Sequence, residues 1–474
     1  MQVQYEFNQR DLGHGLSGSL LHPVVAAAMV LTIVLMLWRP RKYGIVALIC
    51  CTFLVPRGQE VLFLGAHFYV RQILVLAGFI RVAMDKFRIA GGLNTIDKLF
   101  LAWVFYRVFA ATVTNWPGGT MEQLAFLMQA ICGYFLFRYL LRSEKDIITA
   151  ARALAVVAAI LGASMLYEHR VAVNLFGTYL GGVPAIPLIR DGTARAQATF
   201  GHSILAGCFG ATLIPLFVWL WKENRWFAVL GITGSTLMVF STVSSTPLLA
   251  YVAGIFGLLL WPLRRSMRAL RWGILFAVLG MSVLMNAPVW FVISHVDVVG
   301  GSGGYDRAFL LDTCFRHFWD WWLIGTNRMG SWGYDMWDMS DQFVAEAETG
   351  GLIALICFIV MIAKCFGRLG SLRKRVKPKQ QWLFWCLGAV MLSHIFAYFG
   401  VAYWDQTQIW WFAFLAMISA ATLQAATPSL KPSPAPVRAA IPLPEVEEPA
   451  EETQAAVVFR ETEKRLRPWG GPEL

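Results

Sequence analysis

Runs of apolar residues long enough to cross the hydrocarbon core of a bilayer recur along this chain from residue 22 to residue 424. A crossing helix needs roughly 17 to 25 mostly apolar residues, and the pattern gives about thirteen such runs. They cover 22–38, 43–56, 67–84, 96–113, 121–142, 147–166, 201–220, 226–242, 245–263, 271–291, 350–366, 381–403 and 407–424. The predicted fold is all-α, a polytopic transmembrane bundle of about 12–13 helices. Most connections are short, as adjacent antiparallel helices require. Two are long, at about 167–200 and about 292–349, and chemistry outside the membrane is expected there.

Composition agrees, with 57% hydrophobic and 15% charged residues in 474. The net charge of +11 would suit a nucleic-acid binder, but its distribution points elsewhere. The basic clusters WRPRK (38–42), DKFR (85–88), LRRSMRALR (263–271) and GRLGSLRKRVKPK (367–379) all fall on one side of the predicted topology. That side is cytoplasmic by the positive-inside rule, and every lysine shares it. The N-terminus and both long segments are then outside, and the C-terminus inside. The first apolar run reads as a retained anchor rather than a cleaved leader. From 425 to 474 the composition turns to Pro, Ala and Glu, which predicts a disordered cytoplasmic tail.

Arginines are the informative minority on the outer side, because the topological bias disfavours basic residues there. They are Arg57 and Arg71 around the third helix, Arg190 and Arg195 in the first long segment, and Arg307, Arg316 and Arg328 in the second. A single arginine of this kind fits snorkelling to lipid or pairing with a nearby Asp. A set drawn from separate loops points to an anion, and the planar guanidinium suits phosphate oxygens. His202 is the first polar side chain at the outer end of its helix, placed as a base, a substrate-orienting group or a plain helix cap. Glycines at 201, 207 and 210 allow close helix approach. From Tyr305 to Leu323 apolar and aromatic residues recur at helical spacing, the pattern of a helix lying on the outer membrane surface. Polar residues then crowd the approach to the next helix: Asp335, Asp338, Ser340, Asp341, Gln342, Glu346 and Glu348. The chain has no GxxxxGK[ST] loop and no HExxH. That argues against ATP-driven transport and calls for no cofactor and no metal. Of the eight cysteines only Cys314 falls outside predicted helices, so no disulfide framework is expected.

The stretch RAQATFGHSILAG (195–207), the serine-rich SSTPLLA (244–250), a large outward loop and DMSDQFVAEAETGGLIAL (338–355) follow one another in an order that resembles the O-antigen ligase and O-antigen polymerase superfamily. The resemblance spans about 190–370 and makes residues 1–424 a transmembrane glycosyltransferase-like domain. It implies a metal-independent enzyme at the periplasmic face of the bacterial inner membrane, surrounded by membrane lipids. Its donor would be an undecaprenyl-diphosphate-linked oligosaccharide, and its acceptor a glycan or a lipid-linked molecule. Arg195 matches the family's diphosphate-binding arginine, with Arg190, Arg316 and Arg328 as further candidates. Where ligases carry Ser-Arg, this chain has Ser245, Thr246 and Pro247; where they carry His-Asn in the loop, it has Asp341 and Gln342. The usual catalytic histidine is thus replaced, which leaves Asp341, His202, Asp338, His317 or Glu348 as the base and favours a polymerase-like branch. Two other readings stay open: a flippase for lipid-linked glycans, which Arg107 in the fourth helix fits, and a non-catalytic membrane scaffold that uses the tail.

Overall fold

A computed structural model describes residues 20–63, 65–295, 304–333, 336 and 340–426. The candidate Asp338, its neighbour Asp335 and the tail from 427 onward lie outside the described residues.

Each of the thirteen apolar runs contains an α-helix. In chain order the described helices are α1 (Pro23–Trp38), α2 (Arg41–Leu54), α3 (Val70–Met84), α4 (Thr95–Thr114), α5 (Thr120–Leu140), α6 (Glu144–Val171), α7 (Leu175–Leu180), α8 (Ser203–Leu220), α9 (Arg225–Ser241), α10 (Ser245–Leu259), α11 (Met267–Leu284), α12 (Gly304–Arg316), α13 (Phe318–Trp321), α14 (Gln342–Arg373), α15 (Pro378–Tyr398) and α16 (Asp405–Ala426). By length and composition α5, α6, α8, α11, α14 and α15 suffice to cross a membrane, while α1, α9 and α10 are apolar but shorter. The chain is therefore a membrane-type helical bundle. The three helices beyond the apolar runs, α7, α12 and α13, fall in the two long segments.

Four boundaries differ from the sequence pattern. Residues 67–69 open no helix: they belong to β2 (Ala66–Tyr69), which pairs antiparallel with β1 (Glu60–Phe63). A second hairpin, β3 (Leu188–Arg190) with β4 (Thr193–Arg195), interrupts the first long segment. The surface helix expected over Tyr305–Leu323 breaks at His317, because the Trp321 indole donates to the Cys314 carbonyl at 2.8 Å and takes the acceptor that the next helical turn needs. The run expected at 350–366 begins earlier, at Gln342, where the Asp341 side chain accepts from the backbone N–H of Phe343 and Val344 at 2.7 and 3.0 Å. That capped turn is set off from the rest of α14 by Gly351 (φ 66°, ψ −169°), where a Cβ would stand 2.5 Å from the Leu323 carbonyl.

Helices in lipid gain nothing by hiding apolar surface from one another, so close packing and polar contacts hold them together. Between α6 and α9 the backbones touch: a Cβ on Gly234 would lie 2.4 Å from the Ala158 carbonyl, and one on Gly162 would lie 2.3 Å from the Gly234 oxygen. Gly234→Leu is expected to destabilise the fold by at least the ~1–3 kcal/mol typical of overpacking, read as a lowered melting temperature of the purified protein in detergent. Buried ion pairs add polar ties. Arg138 holds Asp97 through Nε (2.8 Å) and Nη2 (3.1 Å), with the Tyr134 hydroxyl on the same carboxylate. Asp405 at the head of α16 pairs with both Arg57, at 2.5 Å, and Arg71.

Candidate functional site

Asp191 and Gly192, both at positive φ (50° and 74°), form the two-residue turn that closes the β3–β4 hairpin, and the register sets Leu188 opposite Arg195. Beyond the hairpin the chain is gripped by the ends of four helices. Ala196 N–H donates to Ser241 of α9 at 3.0 Å. The N–H groups of Gln197 and Ala198 donate to the Glu168 side chain of α6 at 3.1 and 2.8 Å. The Thr199 hydroxyl donates to the Phe53 carbonyl of α2 at 2.7 Å, and the Thr199 carbonyl accepts from Gln406 Nε2 of α16 at 3.0 Å. Gly201 has no room for a side chain, since a Cβ would stand 2.6 Å from Trp404 and 2.8 Å from Arg57. Glycines 207 and 210 likewise pack directly against Pro247 and Met238.

Arg195 emerges from this grip only 6% exposed. Its one described side-chain hydrogen bond runs from Nε to the Thr242 carbonyl at 3.2 Å, and among the described residues no carboxylate forms an ion pair with it. Burial, then the charges of Arg190 and Arg307, lower its affinity for its proton. A buried cation with like charges beside it is unfavourable until an anion joins it.

Asp341 is fully buried. Its Oδ1 caps α14, whereas its Oδ2 has no described partner. Burial raises its pKa to about 7 against the opposing pull of the capping N–H groups and of Arg307. A carboxyl group poised near neutrality with one oxygen unengaged is equipped to exchange a proton. The residues after it are locked: Gln342 accepts from Tyr403 N–H at 2.6 Å and donates to Glu346 at 2.7 Å, and Glu346 in turn accepts from Trp103 at 2.7 Å. Arg107 lies 3.6 Å from the same Glu346, so the charge that favoured a flippase has a structural partner.

His202 caps α8, its Nδ1 accepting from Ile204 N–H at 3.2 Å. That bond puts the proton of the neutral ring on Nε2, so the ring offers a donor and no base to anything in front of it.

The arginines on outward segments sort into distinct settings. Arg57 and Arg71 are committed to Asp405. Arg316 is 76% exposed and bonds Asp312 one turn back at 2.6 Å. Arg190, about half exposed, lies 3.9 Å from Asp191 but still acts on Arg195. Arg328 and His317 line a different cleft, described below. Glu348 stands beyond the cap, with Oε2 buried and unpartnered and its carbonyl accepting from Thr326 N–H at 2.8 Å. Arg307 is the addition: its charge acts on Arg195 and on Asp341, joining two halves of the site that are far apart in sequence. The signal was present in α12, where Gly304, Ala308, Leu311 and Cys314 mark the buried face and Arg307 sits beside it, while Arg316 does not.

No family model matches this chain, and neither does any curated protein.

Proposed function

We propose that the chain transfers or polymerises glycan from a polyprenyl-diphosphate donor, with Arg195, Arg307 and Asp341 as the reacting centre. The observation that carries this reading is the buried Arg195, beside a second arginine and without a counter-ion among the described residues. A diphosphate leaving group supplies that anion and stores the energy of transfer, so no nucleotide is required. As the bond between the sugar and the phosphate oxygen breaks, negative charge grows on the diphosphate, and a preorganised guanidinium stabilises it more in the transition state than in the ground state. An acceptor hydroxyl forms the new glycosidic bond and gives its proton to Asp341 Oδ2. The His202 Nε2–H stands ready as a hydrogen-bond donor. This chemistry fits the resemblance to the O-antigen ligase and polymerase superfamily, which implies a periplasmic site, and the outward placement that the basic residues predict.

The test is to delete the gene and separate lipid-linked intermediates by size. Accumulated single repeat units are expected, as for a polymerase. Accumulated long chains would make the chain a ligase, and an unchanged lipid-linked pool would overturn the reading.

A further inference from the structure

A second concave site lies in the loop that precedes α14. It is a cleft of about 470 Å³ whose wall includes His317, Asp320, Asn327, Arg328, Ser331 and Trp332. That volume falls within the range of small-molecule sites. We propose that this cleft binds a saccharide, one or two rings of a glycan, separately from the Arg195 centre.

Three observations support a sugar. The first is a flat aromatic wall: the His317 and Trp332 rings stack at 4.8 Å with 10° between their planes. Pyranose rings present a face of C–H groups that packs on such surfaces, where an apolar body and a polar edge are both needed. The second is the polar rim. The carboxylate of Asp320 lies 3.0 Å from His317 Nδ1. Asn327 donates one N–H to the Thr114 carbonyl at 3.1 Å, which leaves its own side-chain oxygen to accept. The Arg328 guanidinium has no described hydrogen bond or ion pair. Planar donors and acceptors around an aromatic wall match vicinal hydroxyls, which each donate and accept. The third is rigidity. The strap 322–327 is bonded to α4 and α14 along its length: the Tyr106 hydroxyl to the Leu323 carbonyl (2.7 Å), Thr114 to Ile324 (3.0 Å), Thr326 N–H to Glu348 (2.8 Å) and Leu352 N–H to Trp322 (2.9 Å). Met329 and Trp321 anchor the underside in a small apolar core with Leu310, Val344 and Ala347. A cleft held this way is formed before its ligand arrives, which lowers the ordering cost of binding.

The charge balance separates this cleft from the Arg195 centre. Arg328 shares the wall with Asp320, so a diphosphate seated here would confront a carboxylate as well as the guanidinium. A neutral sugar, or one bearing a single carboxylate for Arg328, meets no such opposition. Only the role of the bound saccharide, as part of the donor or of the acceptor glycan, rests on the transfer reading above; its binding does not.

The experiment is saturation-transfer NMR on the full chain in lipid nanodiscs, with free di- and trisaccharides of neutral hexoses, amino sugars and uronic acids as probes. Wild-type protein is expected to bind at least one probe. Trp332→Ala and Arg328→Gln are each expected to weaken it tenfold or more, and Arg328→Gln removes no described contact, so its fold is safeguarded. Arg195→Ala is expected to bind the saccharide as wild type does, whether or not the protein proves to be a transferase. Failure of every probe to bind, binding indifferent to both cleft variants, or displacement by inorganic pyrophosphate would each overturn the proposal.

Discussion

Arg195→Ala is expected to abolish glycan transfer from a purified lipid-linked donor, lowering turnover by about 10²–10³-fold or more, while the melting temperature stays level or rises. The two readouts diverge for one reason. In the resting protein the Arg195 side chain contributes a single hydrogen bond to Thr242 and carries a buried charge with no counter-ion among the described residues. Removing it sacrifices about 1 kcal/mol of hydrogen bonding and relieves an unpaired charge among other cations. A site residue kept for function at the expense of the fold behaves this way. Arg195→Lys is expected to recover only part of the activity, since the ammonium keeps the charge but not the planar fork. Activity and stability falling together in the alanine variant would make Arg195 a structural residue.

Asp341→Asn is expected to lower turnover by about 10²–10⁴-fold with donor binding largely retained. Asparagine caps a helix about as well as aspartate, so α14 should keep its start while the proton acceptor is lost. The pH profile offers an independent check. A base must be deprotonated to act, and burial sets this carboxyl near 7. Wild-type turnover should therefore rise as pH increases through about 7 and level off above it, and the asparagine variant should lack that limb. A variant that retains both activity and the limb would return the role of base to Glu348.

The helices were legible because a long apolar run is a strong signal, and each of the thirteen runs contains a helix, six of them long and apolar enough to cross a membrane. The hairpins were less so, although Asp191-Gly192 between two short extended stretches is a recognisable turn. Arg195 stood out by position and type. Its lack of a carboxylate partner among the described residues did not, because which arginine finds an aspartate is decided by partners hundreds of residues away, as Arg57 and Arg71 find Asp405. Spacing also could not reveal that Arg307 would join Arg195 to Asp341, or that His317 and Arg328 would part from them into a cleft of their own. The break at His317 turns on one indole reaching back seven residues to a carbonyl, a contact that no periodicity encodes.

The grip on residues 196–201 also fixes a time order. Phe53, Glu168 and Ser241 are synthesised and in place early or midway, but Gln406 and Trp404, which close the grip around Thr199 and Gly201, come from the last described helix and the turn before it. Most of the bundle can enter the membrane before Arg195 has a defined position. A chain arrested short of residue 404 would hold the arginine, the histidine and the aspartate but lack the contacts of Trp404 and Gln406 on residues 199–201, so competence in this protein waits for that late segment.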